Sequence, residues 1–356
     1  MQQAGLSQET QPGRAPDFFK EQSMNARPKI VVTRRIPEAG LTLLRQTADV
    51  WVNPEDRPLT REELLTQVAT ADGVVGQLTD RIDAGFFDAA TKLRGYANYA
   101  VGFDNIDVPE ATRRGVPVSN TPDVLTTATA EMAWALVFAV ARLVVKTDAI
   151  LRSGVWPGWG PLQFIGQEIT GKTLGIFGPG RIGTAMALMS RGFSMPVVYC
   201  GSRRPNETLE RELGATRLPF EEFLATADIV SIHAPLTPDT RHVFNAAAIA
   251  RMKPTALLIN TGRGPIIDEA ALVTALTEGH IAGAGLDVFE FEPRLAEGLA
   301  ALENVVITPH IGSATREARD GMAILAAQNL LAMLTGKTPP TGLNPEVLAE
   351  ASSGRS

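Results

Sequence analysis

The chain has 356 residues and a 44% hydrophobic content, enough for two domains with their own cores. A formal net charge of −6, with acids spread along the chain, offers no basic surface for nucleic acid or a membrane, and the longest apolar run, Met132 to Ala141, is far short of a bilayer span. The single cysteine, Cys200, excludes an intramolecular disulfide, suits a reducing compartment and points to the cytoplasm.

Residues 1–27 are rich in Gln, Pro and charge without an apolar core, which predicts a disordered extension rather than a signal peptide. From Pro28 the texture changes. Strands are predicted at Lys29 to Thr33, Asp49 to Val52, Gly73 to Leu78, Leu93 to Ala100 and Pro117 to Ser119, and helices at Pro37 to Thr47, Arg61 to Thr70, Ala84 to Thr91 and Val108 to Gly115. Such alternation argues for a parallel sheet. A long helix is expected from about Thr127 to Ser153, crossing between domains. The loop Gly154 to Gly171 carries Trp156, Trp159 and Phe164, and its length and aromatic content favour a dimer contact.

The stretch Leu174 to Gly183 reads as a buried strand, a glycine-rich turn and the start of a helix. Gly178 would make the tight turn, Gly180 would let backbone approach a pyrophosphate, and Gly183 would let helix pack on strand, the phosphates facing the free amides of the helix N-terminus. A second strand, Val197 to Cys200, completes a βαβ unit. After it comes Gly201-Ser202-Arg203-Arg204-Pro205, with no acid to take the ribose hydroxyls of NAD. A hydroxyl and two guanidiniums suit the 2′-phosphate, so NADPH/NADP is expected, with NADH/NAD as the weaker alternative. The competing reading is a solvated basic loop.

Further α/β units follow: helices at Pro219 to Ala227, Ala246 to Met252 and Asp268 to Glu278, and strands at Ile229 to His233, Ala256 to Asn260, Ala284 to Val288 and Val305 to Thr308. The helix Ala314 to Leu334 has no strand after it and is expected to return to the first domain. Residues 347–356 read as a flexible tail.

Three residues follow predicted strands, where ligands bind in open α/β sheets: Arg263, Glu292 and His310. Hydride transfer to a 2-keto acid needs a cation for the carboxylate, a proton donor for the carbonyl oxygen and a group that tunes that donor. An arginine fork, an imidazole and a carboxylate supply these in turn. Bland readings stand beside them: a helix-end charge for Arg263, a loop carboxylate for Glu292, a turn cap for Asp287 and plain hydrogen bonding for His242 and His280.

With these residues in view, the chain resembles the D-isomer-specific 2-hydroxyacid dehydrogenase family from Pro28 to Pro345, and within it the glyoxylate/hydroxypyruvate reductases. The matching segments are Tyr99 to Asp107, Gly178 to Gly183, Asn260 to Gly264, Ala284 to Pro293 and Pro309 to Thr315. The resemblance implies two doubly wound parallel-sheet (Rossmann-like) α/β domains with the active site in the cleft between them. Residues 28–124 plus 317–346 would form a discontinuous substrate-binding domain and 125–316 the NAD(P)-binding domain. It implies Arg263, Glu292 and His310 as the catalytic set, with Arg263, Leu78 and the backbone of Val101 and Gly102 on the substrate. Cofactor contacts would fall on Gly178, Pro179, Gly180, Arg181, Ile182, Gly183, Ser202, Arg203, Arg204, Thr261, Gly262 and Gly312, with Asp287 on the nicotinamide amide and His233 at the border. No residue is assigned to a metal. The implied partners are a small 2-keto acid and a second copy of the chain in a homodimer, into whose active site Trp159 or Trp156 would reach. Rivals are a phosphoglycerate or phosphite dehydrogenase and a dinucleotide-sensing corepressor.

Overall fold

The structure, a computed structural model, describes residues 27–353; all but Arg27 of the extension predicted over residues 1–27, and the last three residues, lie outside it. Strands β1 (Lys29–Val32), β2 (Asp49–Val52), β3 (Gly73–Gly76), β4 (Tyr96–Asn98) and β5 (Val118–Ser119) form an all-parallel sheet in the order β2-β1-β3-β4-β5. A second parallel sheet is built from β6 (Leu174–Phe177), β7 (Val197–Cys200), β8 (Thr216–Arg217), β9 (Ile229–Ile232), β10 (Leu257–Asn260), β11 (Gly283–Leu286) and β12 (Val305–Ile307). Its order is β12-β11-β10-β9-β6-β7-β8.

Alternation along β1 shows how both faces of the first sheet are covered. Ile30 and Val32 pack with Leu41, Leu44, Met322 and Leu330, whereas Val31 points to Leu64, Phe86 and Tyr96 on the other side. Met322 and Leu330 belong to the helix Arg316–Leu334, which the side chain of Thr315 caps by accepting from Ala318 N. That helix does return to the first sheet.

Three expectations need correction. The helix predicted from Thr127 to Ser153 is two helices, Thr126–Ala141 and Val144–Arg152, bent by 62°. Its ladder ends because Gln167 N donates to Ala141 O at 2.8 Å, and Leu143 turns the chain with φ 55°. The tail beyond Glu346 is helical to Ser353, and Leu348 is buried in the core of the first sheet. Arg27, placed in the disordered extension, donates to Ala48 O at 2.9 Å and pairs with Asp49 at 3.4 Å.

No single helix among the described residues is long and apolar enough to cross a membrane; the helix Thr126–Ala141 instead buries Trp134, Leu136 and Val137 against the second sheet.

Candidate active site

The glycine-rich turn sits where the strand order of the second sheet reverses, between the carboxyl ends of β6 and β9. Gly178 has φ 87°, and a Cβ there would lie 2.4 Å from Ala234 N, so the crossover admits only glycine. A Cβ on Gly183 would meet Gly178 O at 2.6 Å, which packs the helix Arg181–Met189 on its strand. At Gly180 nothing lies within 4 Å, leaving open space beside the helix start, with Pro179 and Ile182 on either side of it. The cradle fits a pyrophosphate. Arg181 faces the other sheet, its Nε 2.5 Å from Asp123 Oδ1.

After β7, Gly201 (φ 78°) opens a short turn closed by Ser202 Oγ donating to Arg204 O at 2.8 Å. Asn206, the cap of the helix Glu207–Leu213, donates through Nδ2 to Pro179 O and Thr184 Oγ1, both at 2.9 Å. It therefore ties this turn to the glycine-rich loop. Arg203 and Arg204 are exposed and pair with no acid among the described residues. Two uncommitted cations beside an adenosine-ribose position fit a further phosphate.

His233 follows β9, with Nε2 2.9 Å from Ser231 Oγ and Nδ1 3.5 Å from Thr261 Oγ1. Burial pushes this imidazole down to about 3, so it stays neutral. Thr261, Gly262 and Arg263 form a turn braced by Asn260, which accepts from Gly262 N at 3.0 Å and donates to Arg263 O at 3.0 Å. Sequence reading passed over Asn260. The available signal was an asparagine ending an apolar strand just ahead of Thr-Gly-Arg, and in the structure it is fully buried.

Arg263 reaches across the cleft. Its Nε donates to Asp104 Oδ1 at 2.8 Å, and Nη1 donates to its neighbour's carbonyl, Gly262 O, at 3.0 Å. Nη2 lies against Gly102, where a Cβ would come within 1.4 Å of it. The carbonyls of Val101 and Gly102 are occupied, the first by Asn120 Nδ2 at 2.7 Å and the second by Asn98 Nδ2 at 2.9 Å. Their amides have no acceptor among the described residues. Two free N–H groups and one guanidinium edge are thus brought together, a donor set suited to a carboxylate. Leu78, 37% exposed, and Asp104 line a neighbouring cavity of about 380 Å³.

His310 and Glu292 meet at 3.0 Å, Nδ1 to Oε2. A carboxylate only accepts, so Nδ1 carries the hydrogen and Nε2 has no partner among the described residues. Burial alone would raise the Glu292 carboxyl. The hydrogen bond and charge of His310, the Phe289 amide and the charge of Arg263 outweigh it, and Glu292 is held below the usual carboxylate range. Glu292 therefore feels the charges of both Arg263 and His310.

Asp287, fully buried, holds the loop that carries His310. Its Oδ1 accepts from Thr308 Oγ1 at 2.6 Å and Ile311 N at 2.8 Å, and Oδ2 from Gly312 N at 2.7 Å. His310 itself has φ 54°, a conformation costing a non-glycine residue about 1 kcal/mol that these bonds offset.

Residues 134–312 match the family model described as the NAD-binding domain of D-isomer-specific 2-hydroxyacid dehydrogenases. The glyoxylate reductase of Thermococcus onnurineus is 50% identical over 326 residues, 90% of this chain and 97% of that protein. That of Pyrococcus furiosus is 51% identical over the same shares. Among solved structures, the NADPH-dependent glyoxylate/hydroxypyruvate reductase of Sinorhizobium meliloti, in complex with NADP and malonate, is 34% identical with a TM-score of 0.79, covering 90% of this chain and 98% of that one.

Proposed function

The chain belongs to the D-isomer-specific 2-hydroxyacid dehydrogenase family of NAD(P)-dependent oxidoreductases, and from that premise we propose that it is an NADPH-preferring reductase of small 2-keto acids, forming glycolate from glyoxylate and D-glycerate from hydroxypyruvate. One observation carries the reading: Arg263, the free amides of Val101 and Gly102, and the Glu292–His310 pair converge on a single cleft. The names of the archaeal relatives and of the Sinorhizobium enzyme support the substrates.

NADPH, when bound, supplies the hydride. Residues Gly178 to Gly183 would hold its pyrophosphate, Ser202, Arg203 and Arg204 its 2′-phosphate, and His233, Thr261, Gly262 and Gly312 would border the rest. A carboxylate offers about four acceptor sites. Three on Asp287 hold the His310 loop, and Asp287 would have capacity left for the nicotinamide amide. Arg263 and the two amides bind the substrate carboxylate, and Leu78 shapes the space for its side chain. His310 gives the proton on Nε2 to the carbonyl oxygen as negative charge develops there, while Glu292 stabilises the imidazolium. Residues 28–124 with 317–346 serve as the substrate domain and 125–316 as the nucleotide domain.

We take the working enzyme to be a cytoplasmic homodimer. Val155, Trp159, Leu162 and Ile165 are 69–85% exposed along one loop, an apolar surface that a second copy would cover. Trp159 is the residue assigned to reach the partner's site, with Trp156 as the alternative.

Initial rates of NADPH and NADH oxidation with glyoxylate, hydroxypyruvate, pyruvate and phosphohydroxypyruvate test the proposal. Fast turnover of NADPH with either of the first two is expected. Turnover mainly with NADH would sink the cofactor assignment, and silence with every pair would sink the reductase.

A further inference from the structure

A second histidine–glutamate pair stands two residues from Glu292 on the same loop. His242 Nε2 donates to Glu290 Oε1 at 2.6 Å, and Arg241 Nη2 lies 3.3 Å from the same oxygen. Only 6% of the Glu290 side chain is exposed, so this is no solvated surface pair. His242 is also bound through its backbone, N to Pro265 O at 2.9 Å, just beyond Arg263 and Gly264. It thus touches both the segment that carries Arg263 and the segment that carries Glu292.

The two segments lie flat on each other. A Cβ on Gly264 would stand 1.9 Å from Phe289 C and 2.5 Å from Glu290 N, leaving no gap between the peptides. Glu290 N also donates to Glu269 Oε1 at 2.5 Å, and burial raises the Glu269 carboxyl. From the Phe289–Glu290 peptide the line continues to chemistry. Phe289 N donates to Glu292 Oε1 at 3.0 Å, and the other oxygen of that carboxylate meets His310.

We propose that His242, by holding Glu290, sets the position of Glu292 relative to Arg263 and is a positioning residue for the proton transfer assigned to His310. The inference rests on the reductase reading for its kinetic consequence, though not for its geometric one. Replacing His242 by Leu leaves a buried carboxylate facing Arg241 alone, and the Phe289–Glu290 peptide loses one of its anchors. His242→Gln keeps a donor of similar reach, whereas His242→Asn keeps polarity but falls short of Glu290.

The test combines steady-state kinetics with NMR of the imidazole nitrogens in the full chain, whose four histidines can be assigned by single replacement. In His242→Leu and His242→Asn, kcat should fall by about 10- to 100-fold, the scale of a misplacement near 1 Å, with KM for NADPH unchanged. The alkaline fall in rate should move to lower pH and the His310 signals should titrate differently, with His242→Gln restoring both. Wild-type kcat and an unchanged His310 titration in either disruptive variant, whatever its Tm, would overturn the inference. Should the wild-type protein reduce no keto acid, the reductase reading fails while the NMR comparison still decides this one.

Discussion

Arg263 Nε and Asp104 Oδ1 stand 2.8 Å apart across the cleft, so the cation assigned to the substrate is already oriented by a carboxylate from the loop after β4. Removing that orientation should cost more than removing the charge. Asp104→Ala should lower kcat/KM for glyoxylate by about 10- to 100-fold, the range for losing a hydrogen bond to a charged group. Asp104→Asn keeps an acceptor oxygen and should recover most of the loss. Equal defects in the two variants would show that charge, and not geometry, is what Asp104 supplies.

Glu292 is held in its charged form chiefly by the His310 hydrogen bond against the pull of burial. Glu292→Gln removes the carboxylate that favours the imidazolium. The fall of kcat/KM for reduction at high pH should therefore shift to lower pH, accompanied by a lower plateau. An unmoved profile would refute its role.

Arg203 and Arg204 should act on the cofactor phosphate alone. Changing both to Ala should raise KM for NADPH by about 10- to 100-fold, since a charge-assisted hydrogen bond is worth about 1.5–3 kcal/mol. KM for NADH should change little. Equal losses with both cofactors would mean that the turn, rather than its charge, had been damaged.

His233 makes the fold sensitive to acid. Its folded value of about 3 lies below the unfolded 6.5, so the unfolded chain takes up the extra proton first. This contribution is present in full above pH 6.5 and is lost as pH falls through the window from 6.5 towards 3. Denaturant titrations at pH 8 and 5 should differ by about 2 kcal/mol from this group alone. His233→Gln, which keeps hydrogen bonding without titrating, should shrink the difference by that amount.

What could be read in the sequence was chemistry pinned to short motifs. Gly178, Arg263 and His310 each sit where backbone geometry or reaction chemistry admits few residue types. Leu143 gives no such sign, because its left-handed turn is imposed by Gln167, 24 residues later, capturing Ala141 O. The helix Glu207–Leu213 and strand β8 escaped notice because only Leu209 among their residues is buried, so no apolar period marks them. Glu290 was hidden for another reason. Its partner His242 is 48 residues away and carries no motif, and the segment around Glu290 drew attention only to Asp287 and Glu292.

The helix Arg316–Leu334 has a consequence for biosynthesis. It covers one face of a sheet whose last strand, β5, ends at Ser119, nearly two hundred residues earlier. As the chain leaves the ribosome, β1–β5 emerge first yet are completed last. The second sheet lies between them as a continuous segment able to close on its own. Until the returning helix docks, Ile30, Val32 and Val75 lack the cover of Met322 and Leu330 on the growing chain, an interval in which the first sheet is open to misassembly.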